Sequence, residues 1–177
     1  MKLKNMLGAL GVDLDVSAQA LETGEFVVSD LEQDPKAMMV TDGVCKVVLL
    51  LEAGKEITKS FLTPGDVAIT PYRLNKDYAV FVQAITPVSF ESVDYLAIRK
   101  ASETNKALQQ AISGRWTQYE SQKEDRFVID QTLPSVERYQ LVVERLGEWA
   151  DKVPLLEIAA YLGITPVQLS RIRRRSR

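Results

Sequence analysis

Between residues 22 and 93 short runs of β-branched and apolar residues alternate with turn residues: EFVVSD, AMMVTDG, VCKVVLLLEAGKE, ITKSFLTPGD, YAVFVQAITP and VSFES follow in order. Gly24, Asp42-Gly43, Ala53-Gly54 and Pro64-Gly65 fall at the breaks, where a turn needs a positive or preset φ. Strands this short and evenly spaced predict a sandwich or barrel. After Val93 the period changes. From 94 to about 130 turn residues are scarce, Gly114 excepted, and Ile98, Ala101, Leu108, Ile112, Trp116 and Tyr119 recur mostly at three- or four-residue spacing. That spacing draws an apolar stripe along one helical face. The rest of 105–130 is rich in Gln, Lys, Glu, Asp and Arg, which is too polar for a buried core element. The stripe is therefore expected either to lie on the β-domain or to pair with its twin in a dimer, through Leu108, Ile112, Trp116 and Tyr119.

Leu133-Pro134-Ser135 ends this helix, and Pro134 or Ser135 starts another whose apolar face is Val136, Tyr139, Val142, Val143 and Leu146, with Gly147 near its end. The segment LLEIAAYLGITPVQLSRIRR, 155–174, then meets the demands of two short helices joined by a tight turn. Ala159 is the small contact residue and Gly163, four residues on, sits at the turn. Ile158, Leu162, Ile164, Leu169 and Ile172 supply a shared core, and Thr165 followed by Pro166 makes a sharply defined helix start. A plain helical hairpin is the alternative, and it meets fewer of these constraints. With Leu169 and Ile172 inward, Val167, Gln168, Ser170, Arg171, Arg174 and Arg175 point outward or sideways. A helix in the major groove presents its N-terminal half to base edges, where Gln pairs with adenine and Arg with guanine. Gln168 and Arg171 are the expected base readers, Thr165 caps the helix beside them, and Ser170 is a base or phosphate contact. Arg173, Arg174, Arg175 and Arg177 are expected to clamp phosphates, which positions the protein without specifying sequence.

Charge supports that reading. The 177 residues carry 22 Lys+Arg and 24 Asp+Glu, a net of −2, yet residues 158–177 hold five arginines and no acid. The preceding 157 residues therefore carry 17 cations against 24 acids, or −7, so an acidic body bears a basic tip, as expected for a polyanionic partner. The chain has no histidine and one cysteine, Cys45. A cysteine-built metal cluster or an intramolecular disulfide is thereby excluded, and the commonest general base is missing. Asp13 with Asp15, or Glu124 with Asp125, are the remaining candidates for paired catalytic carboxylates. Without an organising motif they read as solvated charges, so no catalytic residue, metal or cofactor is expected. Cys45 reads as a small core residue. The opening apolar run is cut short by Asp13 and Asp15, and no segment reaches the roughly 20 apolar residues of a membrane helix, so a cytoplasmic protein without a membrane partner is expected.

Over about 24–175 the chain resembles the Crp/Fnr superfamily of bacterial transcription regulators. GEFVV, TDGVCKVV, AGKEITKSF and PGD follow the family's β-roll landmarks in order, and RYQLVVERL with VPLLEIAAYLGITPVQLSRIRR follows its DNA-binding half. The resemblance implies an α+β chain: an N-terminal double-stranded β-helix (a jelly-roll-like, cyclic-nucleotide-binding-like effector domain) at 1–104, a dimerisation helix at 105–131 and a helix-turn-helix domain at 132–177. It implies a homodimer on double-stranded DNA, with RNA polymerase as a further partner. Ser170-Arg171 match a serine and arginine that read DNA in the Fnr branch, whereas that branch's reader glutamate falls at Val167. In cyclic-nucleotide-binding relatives the turn after PGD carries a phosphate cassette with a glutamate and R-x-A; PGDVAITPYRLNKDYAVFV has neither. Cyclic AMP is not the expected effector, and Asp66, Arg73 and Lys76 are the residues left to line a pocket for an unknown small molecule. Iron–sulfur or histidine-ligated haem sensing cannot operate on this composition. Most relatives continue past the recognition helix into a β-wing; here the wing is expected to be lacking, with the terminal arginines taking over its backbone contacts. The competing reading is a ligand-binding or protein-interaction module whose helix-turn-helix is vestigial.

Overall fold

The computed structural model describes residues 2–27, 35–52, 54–70, 72–73 and 78–175, the side chains of Thr70, Tyr72 and Arg73 excepted. In order, they form α1 (Leu3–Ala9), β1 (Ser17–Leu21), β2 (Lys36–Asp42), β3 (Cys45–Leu51), β4 (Glu56–Leu62), β5 (Val67–Thr70), β6 (Tyr72–Arg73), β7 (Tyr78–Ala84), β8 (Val88–Asp94), α2 (Tyr95–Thr104), α3 (Lys106–Thr132), α4 (Ser135–Leu146), α5 (Leu155–Leu162) and α6 (Pro166–Arg175). A 3-10 turn, Gly147–Trp149, follows α4. The strands make two antiparallel four-stranded sheets, ordered β1-β8-β2-β5 and β4-β3-β7-β6. This is the expected α+β class.

Strand period explains how the sheets are covered. In β2, Met38 and Val40 face inward and join Cys45, Val47, Leu62, Val80, Val82, Val88 and Phe90 in an aliphatic core between the sheets. Ala37 and Met39, on the other face of β2, pack with Val93, with Leu3 and Leu7 of α1, and with Ile98 and Leu108 of α2 and α3. Both faces of β2 are thus buried, so AMMV is a continuous apolar run and not an alternating one. A third cluster joins Val44, Phe61 and Ile85 of the second sheet's side to Val142, Leu146, Val153, Ile158, Ala159, Leu162 and Leu169. The last three helices therefore rest on the roll.

Three details depart from the expectation, and the Gly43 turn meets it. The strands begin with β1 at Ser17, ahead of residue 22, because the largely exposed run SAQAL pairs with β8 from Ser17↔Ser92 to Leu21↔Val88 and not because it buries apolar side chains of its own. The described part of EFVVSD makes only an isolated bridge, Phe26↔Gln83, and Val28 to Asp30 lie outside the described residues. Ala53 of the Ala53-Gly54 turn does too. The helical stretch after residue 94 is two helices, since Asn105 is extended (φ −109, ψ 100) and its Oδ1 accepts from Leu108 N–H at 2.9 Å, capping α3. Gly43, in the TDG turn, holds φ 83, and a Cβ there would lie 2.2 Å from the Pro87 carbonyl oxygen. Only glycine fits that approach. Among the described residues no helix is long and apolar enough to cross a membrane.

Candidate nucleic-acid interface

The candidate interface is built on α5 and α6. Pro154 precedes α5, and Gly163 closes it in the left-handed region (φ 66, ψ 29), where its N–H reaches Ala159 and Ala160 carbonyls. Glycine takes this conformation at no steric cost, so α6 can turn back onto α5. Ala159 is 1% exposed and lets the helices approach; Leu162 and Leu169 fill the space between them and the roll, and Ile172 is buried beside the start of α4. Each core position expected in 155–174 is occupied as its spacing required, Ile164 being partly buried against the same cluster.

α6 begins with a reciprocal cap. Gln168 N–H donates to Thr165 Oγ1 at 3.2 Å, while Gln168 Oε1 accepts from Thr165 N–H at 2.8 Å and from Thr165 Oγ1 at 3.1 Å. The pattern T-x-x-Q is a capping box, which satisfies orphan donors at the helix start. Gln168, expected as a base reader, thus has its carbonyl engaged inside the protein. Val167, Gln168, Ser170, Arg171, Arg174 and Arg175 are all exposed. Arg173 departs from this group: it sits one turn beyond buried Leu169, its side chain is 29% exposed, and Nη2 lies 3.8 Å from Asp151 Oδ1. Its guanidinium is on the flank of the helix and not on the open face. Arg177 lies outside the described residues. A groove of about 250 Å³ between α4 and α6 is lined by Ser135, Val136, Gln168, Arg171, Ile172 and Arg175. The sequence marks Ser135 as a helix start and Val136 as an apolar-face position but neither as an interface residue, because nothing in their spacing says that α4 starts beside α6.

Two arginines fasten α5 from behind. Arg126 of α3 stacks over the Tyr161 ring with Cζ 3.8 Å from its centroid and donates to the Tyr161 carbonyl at 3.0 Å and to Asp130 at 2.7 Å. Arg138 of α4 donates to Asp130 and to the Leu162 carbonyl, both at 3.2 Å. Cations at these carbonyls suit the negative end of α5. Burial pushes the Tyr161 hydroxyl above its usual range, with the Arg126 charge opposing. From the roll, Phe61 packs on Tyr161 with centroids 4.9 Å apart, and Lys46 Nζ donates to both Glu157 oxygens at 2.9 and 2.8 Å.

Of the expected effector residues only Asp66 has a described side chain. Asp66 accepts from Thr63 N–H at 2.8 Å and Thr63 Oγ1 at 3.0 Å, which fixes the PGD turn, and both its oxygens also take Arg145 Nη2 of α4 at 3.1 and 3.2 Å. Asp66 therefore joins roll to helices. Arg73 is described in its backbone alone, and Lys76 lies outside the described residues. The expected dimer residues divide as well. Leu108 is 3% exposed and spent within the chain against α1 and α2, so it is removed from any interface with a second copy. Ile112, Trp116 and Tyr119 are exposed by 37, 63 and 38%, and Phe127, at 68%, joins them. At 100° per residue these four share an arc of about 80°.

No family model and no curated protein matches the sequence. Solved structures do. FixK2 from Bradyrhizobium japonicum superposes with a TM-score of 0.76 at 19% identity, over 92% of this chain and 84% of that one. CooA from Carboxydothermus hydrogenoformans gives 0.70 at 16%, over 99% and 84%. A structure from Eubacterium rectale assigned to the Crp/Fnr family of transcriptional regulators gives 0.65 at 13%, over 91% and 78%. The chain has the fold of these regulators, with a cyclic-nucleotide-binding-like roll.

Proposed function

We propose that this chain is a transcription regulator of the Crp/Fnr type that binds double-stranded DNA as a homodimer. One observation carries the reading. α6 keeps Leu169 and Ile172 buried, Leu169 in one cluster with α5, and leaves Ser170, Arg171, Arg174 and Arg175 exposed along one helix whose start is capped and free of covering structure. That is what a recognition helix requires: a rigid mount and an open cationic face. In this reading α5 and α6 are the helix-turn-helix within a DNA-binding domain at 132–177, and α3 is the core of a dimerisation helix at 105–131. Residues 1–104 form the effector domain of a cytoplasmic regulator, cyclic AMP not being its effector, with RNA polymerase as the further partner. Arg171 reads base edges; Arg174 and Arg175 meet phosphates, joined by Ser135 across the α4–α6 groove. Thr165 and Gln168 hold the helix start.

The acidic body favours this arrangement, because repulsion from phosphates turns the basic tip toward the duplex. The half-site centres are expected about 34 Å apart, one helical turn. Mobility-shift titration on genomic fragments tests the proposal. Discrete complexes are expected, with affinity falling roughly a thousandfold between about 50 and 200 mM salt if the dimer neutralises about six phosphates. Affinity indifferent to salt, or no discrete complex, overturns it.

A further inference from the structure

Val167 is the second residue of α6 and is 61% exposed, with Gln168, Ser170, Arg171 and Arg174 as its neighbours along the open face. An apolar β-branched side chain held mostly in water there contributes little burial to the fold and takes no part in the cap. Next to it, the Gln168 carbonyl is occupied by the Thr165 N–H at 2.8 Å and hydroxyl at 3.1 Å. Pairing with adenine in the major groove takes the acceptor and the donor of one amide together. With Oε1 engaged, Gln168 has only its amino group left, and the leading edge of α6 offers an apolar surface and donors. The apolar feature of base edges in the major groove is the thymine 5-methyl group.

We infer that Val167 reads a thymine methyl, that Arg171 one turn on takes a guanine of the same half-site, and that Gln168 is a positioning residue for α6 and not an adenine reader. Residues 167 and 171 are four apart, hence on one face and about 6 Å apart along the axis, which spans about two base-pair steps. This inference rests on the DNA-binding reading above.

The test starts from duplexes that the full-length protein selects out of a random-sequence pool. Each thymine of one selected half-site is replaced in turn by deoxyuridine, which removes the methyl and nothing else. At one position the replacement is expected to weaken binding about four-fold, the effect of one buried methyl group. Val167→Ala should abolish that thymine–uracil difference, and Gln168→Ala should weaken binding to all duplexes by a common factor without changing preference at any position. Indifference to uracil at every position, or a difference that persists in Val167→Ala, overturns the methyl reading while DNA binding stands. Relaxed preference at one adenine in Gln168→Ala overturns the positioning role. Recovery of no discrete complex from the pool overturns the DNA-binding reading, and this inference with it.

Discussion

Single residues show how far a side chain's role depends on its neighbours. Gln168 has the chemistry of a base reader, yet the hydroxyl and N–H three residues before it claim its carbonyl. The T-x-x-Q signal for that was present in the sequence, and it competes with base reading for the same atom. Cys45 meets its expectation: it is fully buried between the sheets, and burial pushes its thiol up to about 12. At pH 8 the folded chain should resist alkylation by iodoacetamide and react when denatured; modification of the native protein at the denatured rate would contradict the packing. The sign of the pH dependence follows. The folded state keeps the proton that the unfolded state loses above the ordinary value of 9.0, so stability is full below that pH and falls as pH rises toward about 12. Tyr161, also raised by burial, adds to the fall. Urea titrations at pH 8 and 10.5 should show the lower midpoint at the higher pH.

Among the elements, α3 is the one whose sequence and surroundings disagree most. Its 27 residues bury only Leu108, while Ile112, Trp116, Tyr119 and Phe127 stay exposed along one stripe. Trp116 and Tyr119 meet at a tilt of 41° with centroids 5.9 Å apart, and the Lys59 ammonium lies 5.1 Å from the Tyr119 ring, so the stripe is only lightly covered by the roll. A helix about 40 Å long with one face apolar gains most by meeting a second such helix. Trp116→Asp places a charge in that seam and should convert the proposed dimer to monomer in sedimentation velocity without altering the far-ultraviolet spectrum. A variant that still sediments as a dimer would remove the seam from the interface. The stripe itself was legible from spacing, but Leu108 was misassigned within it. Nothing local says that the α1 helix, whose residues lie a hundred positions earlier, covers the first turn of α3.

At the scale of the whole molecule, the roll and the last three helices form one packed body. Lys46, on the outer face of β3, is 8% exposed and reaches Glu157, 111 residues away; Asp66 and Arg145, 79 residues apart, make a second bridge. The first of these is shielded enough to matter, whereas the Arg145 side chain is 52% exposed and its pair is screened. Lys46→Met should cost about 2 kcal/mol in urea unfolding, because it strands the Glu157 carboxylate, and Lys46→Met combined with Glu157→Leu should recover most of that. A double variant no more stable than the single one would show that the pair contributes little. Such links fix where the roll holds α5 and α6, and they place the PGD turn, through Asp66, in direct contact with α4.

The sequence by itself determined what is local: strands from runs of β-branched residues, helix ends from Pro134, Gly163 and Thr165-Pro166, and the inward pair Leu169 and Ile172 from a three-residue step. It also determined the exposed arginine face, since whatever is not buried at helical spacing must point out. Tertiary structure alone decided the rest. SAQAL is a strand because β8 offers it an edge, Leu108 is core because α1 lies over it, and Asp66 is a bridge because α4 brings Arg145 to it. Those contacts join residues about 70 to 105 positions apart, and no periodicity within a window of one element carries information about partners at that distance.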